Sequence, residues 1–95
     1  SNVVDSFELN SNYSIIEISV PERFVGKTIK EIELGSKYHL LALTTIKPTE
    51  VKSTLGKSRK VQEIQGVAKS DTVLEKNDIL VVYGANQDLR SFTNQ

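Results

Sequence analysis

The chain has 95 residues, enough for one domain and one modest core that buries roughly 60–65% of the surface its unfolded form exposes. Twelve basic residues balance twelve acidic ones, so no global field draws the domain toward nucleic acid or an anionic membrane. The absence of cysteine excludes disulfides, thiolate nucleophiles and thiolate zinc sites, and in so small a domain it points toward the cytoplasm.

No apolar run reaches the ~20 residues a bilayer-spanning helix needs, and no signal peptide is visible. The chain starts Ser1-Asn2 without Met and reads as a piece of a larger protein. Residues 1–11 are mainly polar, show no periodicity apart from Phe7 and Leu9, and read as an incoming linker or cleavage remnant, with the folded domain over 12–95.

The first strand is expected over 13–20, with Ile16, Ile18 and Val20 on one face and Ile15, Glu17 and Ser19 on a wetter one. Pro21 ends it. Phe24, Val25 and Gly26 turn the chain into a short helix over 27–34, where Val25, Ile29 and Ile32 make one stripe. Thr28 and Glu31 have the spacing of a capping box, and Gly35 stands where the helix would stop.

A second strand is expected over 40–46, then a loop or hairpin tip over 47–58 marked by Pro48, Ser53, Gly56 and lysines. Residues 59–67 read as a polar edge strand, and 79–83 as the most apolar strand, entered from an Asn77-Asp78 turn and closed by Gly84. Asn86 is placed to cap a last helix carrying Leu89 and Phe92 on one face. The fold class is α+β: a single small domain of order β-α-β-β-β-α, with one mostly antiparallel or mixed sheet and two short helices.

Enzyme motifs fail one by one. Gly26-Lys27-Thr28 and Gly56-Lys57-Ser58 each end like a phosphate-binding loop, but Pro21 and Val51 stand where its first glycine must be. The dinucleotide fingerprint is absent. His39, the only histidine, has no cluster of acidic or imidazole partners around it and reads as a solvated or hydrogen-bonded side chain rather than a metal ligand. Glu31 and Glu33 point to different sides of a helix and form no acid/base pair. Lys52, Lys57, Arg59 and Lys60 are interrupted by no aromatic and flanked by Glu50 and Glu63, which favours a solvated hairpin over a nucleic-acid surface. The expectation is a non-enzyme with no metal and no required cofactor.

Two stretches, residues 13–34 and 71–89, carry a pattern. The first is an apolar strand, Pro21, then Gly26-Lys27-Thr28-Ile29-Lys30-Glu31-Ile32 leading to Leu34. The second runs Asp71-Thr72-Val73-Leu74, Asp78-Ile79-Leu80-Val81-Val82-Tyr83-Gly84, and on to Asp88-Leu89. Together they resemble the TrkA-C or RCK-C family, the C-terminal regulatory domains of bacterial potassium-uptake and channel regulators. Gly26, Asp78 and Gly84 are the architectural residues of that pattern: a tight turn, a turn acceptor and a strand break.

The resemblance implies a cytoplasmic ligand-sensing and dimerisation module of a potassium or other cation transport system, acting as a homodimer beside a parent transporter or channel subunit. It implies no nucleic-acid partner and no membrane insertion by this segment. A purely structural dimerisation domain and the effector domain of a transcriptional regulator are the alternatives. Some family members bind cyclic di-AMP in the dimer cleft, which places the candidate ligand-binding residues at Ile29, Lys37, His39, Leu41 and Ala68. Ile29 suits an adenine face. Gly35, Leu41 and Ala68 replace the arginine, asparagine and proline that such binders tend to carry, and their loss removes phosphate donors that Lys37 and His39 would have to supply.

Overall fold

Alternation along residues 13–19 is realised as a strand whose Ser14, Ile16 and Ile18 are buried while the residues between them are partly covered. The computed structural model describes residues 2–95. Strands β1 (Val3–Glu8), β2 (Tyr13–Ser19), β3 (Leu41–Lys52), β4 (Ser58–Val67) and β5 (Ile79–Ala85) form one sheet in the order β1-β2-β5-β3-β4, with every neighbouring pair antiparallel. A 3-10 turn (Glu22–Phe24), α1 (Ile29–Ile32) and α2 (Leu34–Tyr38) lie between β2 and β3, and α3 (Asn86–Thr93) follows β5 directly. The α+β domain with an antiparallel sheet is as expected.

The helical segments supply core residues to one face of the sheet. There Ile16, Ile18 and Val20 meet Leu80 and Val82 of β5, Leu40, and the helical side chains Phe24, Ile32, Leu34, Leu89 and Phe92. Phe24 and Phe92 stack at 5.9 Å, and Tyr38 meets the Phe92 ring edge-on at 5.0 Å. Leu74 is fully buried in the same cluster although it lies outside regular structure. Backbone bonds hold it: the Gly26 N–H donates to the Leu74 carbonyl (2.7 Å) and the Leu74 N–H to the Lys27 carbonyl (2.8 Å). The same segment is zipped to the start of α1, where the Ile29 and Lys30 N–H groups donate to the Thr72 (3.0 Å) and Ser70 (2.9 Å) carbonyls, satisfying donors that a helix N-terminus leaves open.

Several expectations are corrected. Residues 3–8 are a strand, not part of a linker, and the domain includes them. All of β1 is exposed, so the sequence lacks a burial signal there, and a ladder to β2 from Val3↔Ile18 to Glu8↔Ser14 holds it. The element order therefore gains a leading strand. The helix over 27–34 is two pieces, because Glu33 takes a left-handed conformation (φ 53) between them. Gly35 lies inside α2 and stops nothing; His39 (φ 58) ends it. The capping box is present, with the Glu31 N–H donating to Thr28 Oγ1 (3.1 Å) and the Thr28 N–H to Glu31 Oε1 (2.9 Å).

Residues 47–52 are not loop but the continuation of β3, and the turn is confined to the segment between Lys52 and Ser58. Pro48 is tolerated because β5 pairs with β3 only as far as Ile46↔Ile79, leaving one side of β3 unpaired beyond it. Asn86 does not cap α3 with its side chain; its Oδ1 accepts from the Ser14 hydroxyl (2.6 Å) and its Nδ2 donates to the Ser11 carbonyl (3.1 Å).

Gly84 is not a strand break, since β5 runs through it to Ala85. A Cβ there would collide with the Leu40 side chain, so the glycine serves close approach. Gly26 is needed for its conformation instead, with φ 86 and open space around it. Gly84→Ala is expected to cost about 1–3 kcal/mol from overpacking and Gly26→Ala about 1–2 kcal/mol from the left-handed backbone alone. Urea unfolding of the two variants checks both, and a Leu40→Ala change should relieve part of the first loss but none of the second.

Candidate functional site

The sequence-derived residues divide into two groups. Ile29, Leu41 and Ala68, together with Gly35, line one shallow recess of about 290 Å3. It is formed because the Ala68 N–H donates to the Leu43 carbonyl (2.9 Å) and the Ile29 N–H to the Thr72 carbonyl (3.0 Å), which draws the segment after β4 against both β3 and α1. Leu34, Leu40 and Ala42 form its apolar floor, and Lys69 and Ser70 add polar groups at its rim. Lys69 is the cation of this recess, and no sequence motif singles it out; only the fold of the 68–74 segment brings it there.

Lys37 and His39 do not line the recess. The Lys37 ammonium lies 3.4 Å from Glu33 Oε2, one helical turn back, and both are well exposed. His39 is exposed and serves through its backbone, its N–H donating to the Gly35 carbonyl (3.0 Å) at the end of α2. Neither stands in for a phosphate donor at this position. As built, the recess offers apolar walls and a single lysine, which suits a flat, largely apolar group better than a phosphodiester.

Asp78 is buried, and its carboxylate accepts from Lys47 Nζ (3.0 Å) rather than from turn backbone. Glu75 Oε2 accepts from the same ammonium at 2.6 Å. The hydrogen bond from Lys47 holds the Glu75 carboxyl below its ordinary value, and the hydrogen bonds to Glu75 and Asp78 raise Lys47 above its own. This triad ties the base of the β3–β4 hairpin to the turn that launches β5.

The other face of the sheet was missed by sequence reasoning. Ile46, Ile79 and Val81 form a second buried cluster, flanked by Ile15 and Leu43, and all of these residues belong to strands. Around it, by register, Phe7 pairs with Ile15, Ile15 with Tyr83, Tyr83 with Leu41, and Ile46 with Ile64. Phe7 (48%), Tyr13 (43%), Leu41 (58%) and Ile64 (65%) remain exposed there. Tyr13 stacks on Tyr83 at 6.1 Å with 17° between the rings, a flat aromatic step on the open face. The available signal was the composition of 79–83, which is apolar on both faces where a sheet covered on one side alternates.

Among the described residues no three His, Cys, Asp or Glu side chains are grouped as a metal site. A groove of about 280 Å3 between β1 and α3, with Glu8 and Arg90 at its sides, is lined at its base by Ser14 and Asn86, which satisfy each other. In comparisons with known proteins, no protein-family model matches the chain and no curated protein matches it.

The Lys47 triad has a pH signature. Because the Glu75 pKa is lowered, its contribution to stability is fully present above its ordinary value of 4.5 and is lost as pH falls through the lowered folded value. The Lys47 pKa is raised, so its contribution fades only as pH climbs past 10.5. Lys47→Ala is therefore expected to destabilise the domain at neutral pH, with the difference from wild type shrinking in the acid range. Denaturant titrations at a series of pH values measure this, and a pH-independent difference would contradict it.

Proposed function

We propose that the chain is a non-catalytic regulatory module that works as a homodimer in the cytoplasm, sensing a ligand for a potassium or other cation transport system. The observation that carries this reading is the open apolar sheet face. A face that includes Phe7, Tyr13, Leu41, Tyr83 and Ile64 has more aromatic and aliphatic surface than scattered exposed residues explain. A second copy of the same face is the simplest cover, because a two-fold axis makes one patch complementary to itself. Among the described residues no helix is long and apolar enough to cross a membrane. The resemblance of residues 13–34 and 71–89 to the RCK-C pattern supplies the transport context.

In this reading the recess at Ile29, Leu41 and Ala68 is the ligand site, and Leu41 belongs both to it and to the open sheet face. A ligand seated there would change what the face presents to its partner, and the dimer geometry would shift with occupancy. Cyclic di-AMP is the candidate the resemblance suggests. The recess supports only its base-stacking half, with Lys69 the available phosphate contact. The scarcity of polar groups in the recess favours a structural dimerisation domain as the second reading.

Sedimentation velocity over a range of concentrations should show a dimer. Phe7→Ser combined with Ile64→Ser, on opposite sides of the face, should weaken it by about 2–4 kcal/mol with unchanged circular dichroism. A monomer at every concentration, or a dimer indifferent to both substitutions, would overturn the dimer claim. Titration calorimetry with cyclic di-AMP separates sensor from scaffold. Heat that disappears in Lys69→Glu supports the sensor, and no heat from an intact dimer supports the scaffold.

A further inference from the structure

The β3–β4 hairpin leaves the body of the domain. Past Ile46↔Ile79 the two strands pair only with each other, from Lys47↔Glu63 to Lys52↔Ser58, and the molecule measures 47 Å along one axis against 29 and 23 Å along the others. The overhang is about 20 Å, six residues at roughly 3.3 Å each. Its outer part, residues 51–60, carries Lys52, Lys57, Arg59 and Lys60 and no acidic residue, and every one of these residues is exposed. None of those four cations is in an ion pair among the described residues. Glu50, opposite Lys60 in the ladder, is not within ion-pair distance of it.

At the apex stands Leu55, 84% exposed, the most exposed of the large apolar side chains. The turn beneath it is ordered by Ser53, whose Oγ accepts from the Leu55 and Lys57 N–H groups (both 3.3 Å) and whose carbonyl accepts from the Gly56 N–H (3.0 Å). Lysine on an exposed strand edge is a common guard against edge-to-edge pairing, which accounts for a cation on β4. It does not account for a leucine held at the tip of a projecting arm, where solubility favours a polar residue.

We infer that the hairpin tip docks on an anionic lipid bilayer, with Leu55 entering the acyl boundary and Lys52, Lys57, Arg59 and Lys60 lying among the headgroups. Charge and apolar tip fit that partner together: the cations match the negative surface, and the leucine gains only where hydrocarbon is within reach. A nucleic acid would use the cations but leave Leu55 in water, and the tip has no aromatic side chain for base stacking. One arm of this size binds weakly, with a partition constant on the order of 10^3 to 10^4 M−1, so two arms on one assembly would bind far more tightly than one. The arm lies outside the buried clusters of both sheet faces, so this docking does not depend on what covers the sheet.

The test is co-sedimentation of the chain with vesicles of phosphatidylcholine alone and with roughly one-third phosphatidylglycerol. Binding is expected only to the anionic vesicles and should weaken as salt is raised. Leu55→Ser should reduce it about five- to tenfold, and Lys57→Glu with Lys60→Glu at least about 25-fold, at about fivefold for each cation removed. Because the chain has no cysteine, Thr54→Cys carries a single environment-sensitive dye, whose emission should shift to the blue on anionic vesicles. Circular dichroism of each variant confirms the fold. Absence of binding to anionic vesicles overturns the inference. So does binding that ignores Leu55→Ser, or tighter binding to duplex DNA or heparin than to vesicles, either of which would make the tip a general polyanion contact.

Discussion

Strand β5 lies between β2 and β3, hydrogen-bonded on both sides, and residues Ile79 to Val82 are all buried. Leu80 and Val82 point into the cluster that the helices close, while Ile79 and Val81 point the other way. One strand therefore asks for apolar cover on two faces, and in a chain of 95 residues the helical core contacts supply it on one. That demand organises the molecule. It places the helix-side core, draws Ile15, Leu43 and Ile46 together on the far side, and leaves a ring of exposed aromatic and aliphatic residues around them.

The helix-side core is closed by short pieces under tight geometric control. Two left-handed residues, Glu33 and His39, turn the chain at the ends of α1 and α2, whose Ile32 and Leu34 join the cluster with Leu80 and Val82, and the absence of a side chain at Gly84 lets Leu40 seat directly on the strand. Small domains gain little from isolated helix propensity and depend on such packing. A dimer through the far face would contribute the remaining stabilisation, since anything that binds the folded state alone raises its stability. The recess beside α1 would then sit at the margin of the dimer, through the shared Leu41. The hairpin would extend away from it, anchored at its base by Lys47 and presenting its charged tip elsewhere.

Much of this fold is legible in the sequence. The alternation in 13–20, the capping box at Thr28 and Glu31, the Leu89 and Phe92 stripe and the apolar run at 79–83 each rest on a local rule, and each stands in the fold. What sequence reading missed depended on tertiary context. β1 has no buried residue and exists because β2 offers it an open edge. Residues 47–52 carry Pro48 and charges, yet extend as a strand because β4 pairs with them on one side, while the other side, unpaired past Ile46↔Ile79, tolerates proline. Lys37 and His39 lie close in sequence to the candidate residues Ile29 and Leu41, but of α2 only Leu34 and Gly35 line the recess, whereas Lys69 is distant in sequence and arrives by the zipper to α1.

The central claim is that the far face of the sheet is an interface between two copies, with Tyr13 and Tyr83 at its aromatic step. Hydroxyl-radical footprinting over a concentration series reads this directly, residue by residue. The account predicts that labelling of Tyr13, Tyr83 and Phe7 falls as the dimer forms, while Leu55 at the hairpin tip stays fully reactive. Equal labelling of those aromatic residues at every concentration, in a chain that sediments as a dimer, would place the interface elsewhere and contradict it.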